Sequence, residues 1–170
     1  MGCGKSSVGR RLSRLLCCPF MDLDQMIEES TGKTIPEIFA ESGEAGFRSI
    51  EQKTLESVLS NHMESDAVLS LGGGTVTTKA CAYMVKARTT CIYLKASAET
   101  LVKHLEGETS QRPMLKGDVR ERINELLDAR SGIYESTAHF IIEIDGKSID
   151  EVADTITSLI CQGYFSVYEG

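Results

Sequence analysis

Met1-Gly2-Cys3-Gly4-Lys5-Ser6-Ser7 opens the chain and reads as the closing half of a phosphate-binding loop, G-x-x-x-x-G-K-[ST], a pattern that lies between a strand and a helix. Gly4, Lys5 and Ser6 supply its G-K-S end. Gly4 lets the backbone curl so that successive N–H groups face phosphate oxygens. Lys5 brings a point charge to the outer phosphates, and the Ser6 hydroxyl is a ligand for Mg²⁺. The helix that follows aims its positive dipole end at the same place. The pattern's first glycine falls before Met1, as does the strand that leads into such a loop. The reading therefore expects either a start assigned too late or an upstream segment lost.

Downstream, strand and helix signals alternate, which predicts an α/β fold with a mainly parallel sheet. Helical spacing runs over 5–16, with Val8, Leu12, Leu15 and Leu16 on one face, and recurs over 25–31, 44–62, 118–136 and 148–160. Thr34-Ile35-Pro36-Glu37 is a capping-box start with proline in the first turn. Short apolar runs at 19–24, 66–71, 89–94 and 140–144 read as strands. The polar, glycine-bounded stretch 107–117 carries Arg112-Pro113 and reads as an exposed loop.

Composition narrows the function classes. The chain has 170 residues, 41% hydrophobic and 25% charged, with net charge −7, ordinary for one soluble domain. No basic stripe suggests nucleic acid. No apolar run approaches the ~20 residues a membrane helix needs, and the start has no signal-peptide core. The six cysteines form no CxxC pair and only three histidines accompany them, which reads as reduced thiols in a cytoplasmic protein rather than zinc or disulfides.

Several residues could carry chemistry. Asp22 and Asp24 end the first predicted strand as D-x-D, so the two carboxylates are expected on one face at the strand's C-terminal end, where α/β folds bind ligands. One can hold Mg²⁺ through water, and the other can take a proton from an attacking hydroxyl. Arg130 continues the apolar stripe Ile123, Leu126, Leu127, and Arg48 shares a stripe with Leu55 and Leu59. An inward arginine needs an anionic partner. A structural ion pair, or a snorkelling arginine at the rim, would satisfy either; two arginines in one cleft would suit a carboxylate substrate. Gly72-Gly73-Gly74 after the second strand costs chain entropy and makes sense where backbone approaches a ligand closely. Arg112 could close over phosphates as a mobile cation.

Taken together, Gly2-Cys3-Gly4-Lys5-Ser6-Ser7, Asp22-Leu23-Asp24, Ile38-Phe39 with Gly43-Glu44 and Phe47-Arg48, Ser70-Leu71-Gly72-Gly73-Gly74 and Arg112-Pro113-Met114-Leu115 resemble the shikimate kinase family of nucleoside-monophosphate-kinase-like P-loop proteins, over nearly the whole chain. The resemblance implies a three-layer kinase fold, a parallel sheet of order 2-3-1-4-5 flanked by helices, here without strand 1. It also implies a single domain over 1–170, with substrate-binding helices in about 25–62 and a lid in about 107–117. It implies transfer of the ATP γ-phosphoryl to the 3-hydroxyl of shikimate, for chorismate synthesis. Gly2, Cys3, Gly4, Lys5, Ser6 and Ser7 would cradle phosphates, with Ser6 on Mg²⁺ and Asp22 holding it through water. Asp24 would bind shikimate hydroxyls and act as base, and Lys5 and Arg112 would complete the catalytic set. Arg48 and Arg130 would grip the carboxylate, Gly72, Gly73 and Gly74 would pack against the ring, and Lys147 would lie on the adenine side. The partners implied are ATP and shikimate, with no nucleic acid or membrane, and the enzyme is expected to work as a monomer. A related small-molecule kinase such as a gluconate kinase, or a non-catalytic nucleotide-binding module, remains open at this point. Without strand 1 its neighbours would lose ladder partners, at about 1–3 kcal/mol per buried unpaired group against a total of about 5–15 kcal/mol.

Overall fold

A computed structural model describes residues 3–61, 66–108 and 118–161. The order is α1 (Lys5–Leu15), β1 (Phe20–Asp22), α2 (Leu23–Thr31), α3 (Ile35–Asn61), β2 (Val68–Ser70), a 3₁₀ turn (Thr75–Thr77), α4 (Lys79–Arg88), β3 (Ile92–Lys95), α5 (Ala98–Glu108), α6 (Asp118–Thr137), β4 (Phe140–Glu143) and α7 (Ile149–Cys161). Gly2, Arg112, residues 109–117 of the expected lid and the tail 162–170 lie outside the described residues.

Local chemistry sets most boundaries. α1 begins at Gly4, which takes the left-handed φ of 70°, a region nearly free of cost only for glycine. It ends in a Schellman closure, the Cys18 N–H donating to Ser13 O at 3.0 Å and the Cys17 N–H to Arg14 O at 3.4 Å. Cys17 stands where glycine is usual, at φ 53°, and Pro19 follows, so the helix cannot continue. The capping box at Thr34 forms, with Glu37 accepting from the Thr34 N–H at 2.8 Å. A second one opens α7, where Glu151 accepts from the Ser148 N–H at 2.8 Å. Gly43, at φ 65° and ψ −173°, breaks α3 into two helical pieces, so the second piece starts at Glu44 as its spacing predicts.

All observed ladders are parallel. β1 pairs with β2 in the register Phe20–Val68, Met21–Leu69, Asp22–Ser70, and β3 pairs with β4 from Ile92–Phe140 to Lys95–Glu143. These are the two outer pairs of the expected order. Among the described residues they form two separate two-stranded sheets. Most of their side chains are only half-buried, unlike the interior strands of a parallel sheet, which are covered on both faces.

Two apolar clusters hold the elements. One gathers Val8 and Leu12 of α1 with Ile123, Ile142, Val152 and Ile156. The other gathers Leu23 and Ile27 of α2 with Phe47, Leu55, Val76 and Val85. Leu23, Ile27 and Leu55 are fully covered, each worth about 1.5–3 kcal/mol of burial. The second cluster matters for the site, because it fixes α2 and α3 against the glycine loop after β2.

Candidate active site

The residues expected on the nucleotide side stand at the start of α1. Gly4 has no side chain to cap the helix, and the first turn carries no acid, so the backbone N–H groups there keep their capacity for an anion. Lys5 Nζ lies 3.8 Å from Cys3 Sγ. The Ser6 hydroxyl donates to Asp22 Oδ2 at 2.8 Å, so a hydroxyl from α1 and a carboxylate from β1 meet at one point. Hard oxygen donors in this number suit Mg²⁺, which keeps several waters and phosphate oxygens rather than entering an all-protein cage. Among the described residues no three His, Cys, Asp or Glu side chains gather as such a cage.

One expectation needs correction. Asp22 and Asp24 do not alternate along a strand. β1 ends at Asp22, which caps α2 by accepting from the Asp24 N–H at 3.2 Å, and Asp24 sits in the first helical turn. The physical reason is the cap itself: an aspartate in extended backbone followed by helix-compatible Leu-Asp-Gln starts a helix at once. The two carboxylates therefore diverge. Asp22 turns to Ser6, whereas Asp24 reaches the glycine loop, where a Cβ built on Gly72 would stand 2.9 Å from its Oδ1. Burial pushes the Asp24 carboxyl above its ordinary range; the charges of Asp22 and Glu51 add to this, and Lys5 opposes them.

The residues expected on the acceptor side form a set of polar anchors around the loop of Gly72, Gly73 and Gly74. None of the three has a positive φ, so at Gly72 and Gly74 glycine answers to space and not to backbone freedom. A side chain at Gly74 would collide with the Arg48 guanidinium. The Gly73 carbonyl accepts from Tyr134 Oη at 2.5 Å and from Arg130 Nη1 at 3.5 Å. The structure thus brings Asp24, Arg48, Arg130 and the three glycines together, as the sequence leads one to expect. Lys147, expected on the adenine side, is exposed in the turn after β4, its N–H bonded to Ile144 O at 3.1 Å.

Three residues of the site were not singled out in the sequence. Glu51 is 1% exposed, accepting from Arg48 Nη1 at 2.7 Å and from the Thr75 hydroxyl at 2.7 Å. Burial works against the Arg48 charge, but the hydrogen bond and the charge of Glu51 outweigh it and hold the guanidinium above its ordinary value. An acid three residues after an inward arginine was the available signal. Thr75 and Tyr134 gave none, because their partners are distant in sequence.

Comparison with known proteins points to one family. The sequence model of the shikimate kinase family matches residues 1–161. The shikimate kinase of Dictyoglomus turgidum is 42% identical over 89% of this chain and 88% of its own. That of Chlorobium chlorochromatii is 39% identical over 94% and 86%. Among solved structures, shikimate kinase from Acinetobacter baumannii in complex with shikimate superposes with a TM-score of 0.84 at 34% identity, covering 95% of this chain and 89% of that one. The structure from Bacteroides thetaiotaomicron gives 0.83 at 28%, covering 94% and 93%.

Proposed function

The chain belongs to the shikimate kinase family, and from that premise we propose that it transfers the γ-phosphoryl group of ATP to the 3-hydroxyl of shikimate. The observation that carries the reading is the glycine loop with a carboxylate, Asp24, against one end and a guanidinium, Arg48, against the other. A polyol carboxylate fits between them: its carboxylate pairs with Arg48 and Arg130, and its hydroxyls reach Asp24.

Phosphoryl transfer asks for positioning and charge more than covalent help. Asp24 accepts the proton as the acceptor oxygen attacks phosphorus, and the bond from phosphorus to the β–γ bridging oxygen breaks to release ADP. Its raised proton affinity, a product of burial and of neighbouring acids, makes it a stronger base than a free aspartate. Lys5 and the first-turn N–H groups of α1 hold the phosphate charge. Ser6 and Asp22 would hold Mg²⁺, which when bound neutralises phosphate charge. Arg112 is assigned to the phosphates as a stabilising cation, Gly2, Cys3, Gly4 and Ser7 to the phosphate cradle, and the whole chain to one kinase domain acting as a monomer. No helix among the described residues is long and apolar enough to cross a membrane.

The test is ADP release in a coupled assay with Mg-ATP and either shikimate or gluconate. Turnover with shikimate alone is expected. Equal or greater turnover with gluconate, or none with either, refutes the assignment.

A further inference from the structure

We propose that Tyr134 is a positioning residue of the acceptor site, one that occupies the Gly73 carbonyl and so leaves the Arg130 guanidinium available for the acceptor's carboxylate. The inference rests on the shikimate kinase reading and deepens it.

Arg130 and Tyr134 stand four residues apart on α6, hence on one helix face, and both point at one oxygen. A charged donor normally outcompetes a neutral one for a carbonyl. Here the order is reversed. The phenol makes the 2.5 Å bond, and Arg130 Nη1 stays at 3.5 Å, the outer limit of a useful hydrogen bond. The phenol wins because its ring is held: it lies 5.2 Å from the Tyr93 ring and packs on the cluster that contains Phe47 and Leu55. Arg130, half-buried and with five donors, makes only this long bond among the described residues. Without the hydroxyl, the Gly73 carbonyl would draw Arg130 inward, and the carboxylate would lose its clamp.

Tyr134→Phe removes one oxygen and keeps the ring. With Mg-ATP saturating, KM for shikimate should rise about tenfold, which is ~1.4 kcal/mol. KM for ATP and kcat should stay within about twofold, and the melt should remain cooperative. A general loosening of the fold would not depend on the acceptor's charge, so the discriminating arm uses a shikimate analogue with the carboxylate reduced to hydroxymethyl. There the penalty of Tyr134→Phe should vanish. In the pair Tyr134→Phe with Arg130→Lys, the two losses should be less than additive. An unchanged KM, or a penalty that persists with the carboxylate-free analogue, overturns the proposal. If Tyr134→Phe does not fold, difluorotyrosine at 134 keeps the donor at low pH and loses its proton on alkalinisation. KM for shikimate must then rise with pH in that protein and not in the wild type, and a parallel pH course overturns the proposal. Absence of shikimate turnover by the wild type overturns both readings, whereas shikimate turnover with an unaltered KM in Tyr134→Phe overturns this one alone.

Discussion

Replacing Glu51 by glutamine separates what holds the acceptor site together from what makes it bind. Glu51 is 1% exposed, and the Arg48 side chain that it pairs with at 2.7 Å is 21% exposed. Two charges about 4 Å apart attract by about 4 kcal/mol at an effective dielectric of ~20, but desolvating the carboxylate costs several kcal/mol. The pair is close to neutral for stability as a pair and costly to break. Glutamine keeps the shape but offers one acceptor oxygen where Glu51 offers two. With that oxygen toward Arg48, an amide N–H turns to Thr75, whose hydroxyl must then accept instead of donate. The loss of the carboxylate charge and of one bond costs about 2 kcal/mol in sum. At ~2–4 °C per kcal/mol for a chain of this length, the melting temperature should fall by about 4–8 °C. Arg48, left with Glu44 at 3.5 Å on its exposed side, should swing outward, and KM for shikimate should rise about tenfold or more. The contrasting variant replaces the whole network with apolar groups, Arg48→Met, Glu51→Leu and Thr75→Val together. Thr75 must be included because its hydroxyl is fully buried and donates to Glu51. This triple variant should melt within about 3 °C of the wild type, ~1 kcal/mol at that slope, yet bind shikimate too weakly to saturate. Thermal unfolding followed by circular dichroism, beside steady-state kinetics, reads both. A Glu51→Gln protein that melts and saturates like the wild type would refute the reasoning, as would a triple variant that is less stable than Glu51→Gln.

Asp24→Asn should lower kcat by about 10²-fold or more with little change in ATP affinity, and near-normal turnover would remove Asp24 as the base. Because burial raises the Asp24 carboxyl, the acidic limb of kcat/KM should lie above the ~3.9 of a free aspartate and disappear in Asp24→Asn. The sign for stability is opposite: the folded state keeps this proton longer, so the contribution is full below the unfolded value and is lost as pH climbs through the raised folded value. The melting temperature of the wild type should therefore lose more than that of Asp24→Asn across this window. Arg130→Lys keeps charge but loses the planar fork, so KM for shikimate should rise while KM for ATP holds; the reverse pattern would move Arg130 to the nucleotide side. Gly72→Ala places a methyl 2.9 Å from Asp24 Oδ1 and 3.2 Å from Thr75 Oγ1, and should reduce kcat more than it changes the melting temperature. Unaltered kcat would mean that Asp24 does not need its observed position.

What could be read in the sequence was whatever is local. Helix α7 was legible because its apolar positions repeat with the helical period over 148–160. The second piece of α3 was legible because its helical spacing begins at about Glu44, and the first because its capping box stands at Thr34. Arg48 and Arg130 were legible as polar residues on apolar stripes. The start of α2 was misread. Pro19 to Asp24 looks like a strand by its apolar lead, and whether Asp22 continues the strand or caps a helix depends on a ladder with β2 that runs out at Ser70. Glu51 was missed for a related reason. An acid at helical spacing from an arginine usually forms a solvated pair, and only the arrival of Thr75 from another element shows that it is buried.

The glycine triplet shows the same limit from the other side. Its sequence announces that something must come close, and not what. In the structure each glycine answers to a different element: Gly72 to Asp24 of α2, Gly73 to Tyr134 and Arg130 of α6, Gly74 to Arg48 of α3. Three helices are thus registered against one short stretch of backbone, with the second apolar cluster behind them. That arrangement explains how Asp24 can be desolvated among like charges without the site falling apart. The cost of crowding Asp22, Asp24 and Glu51 is offset by Lys5 on one side and Arg48 on the other, and in the proposed reading each cation also meets a substrate anion.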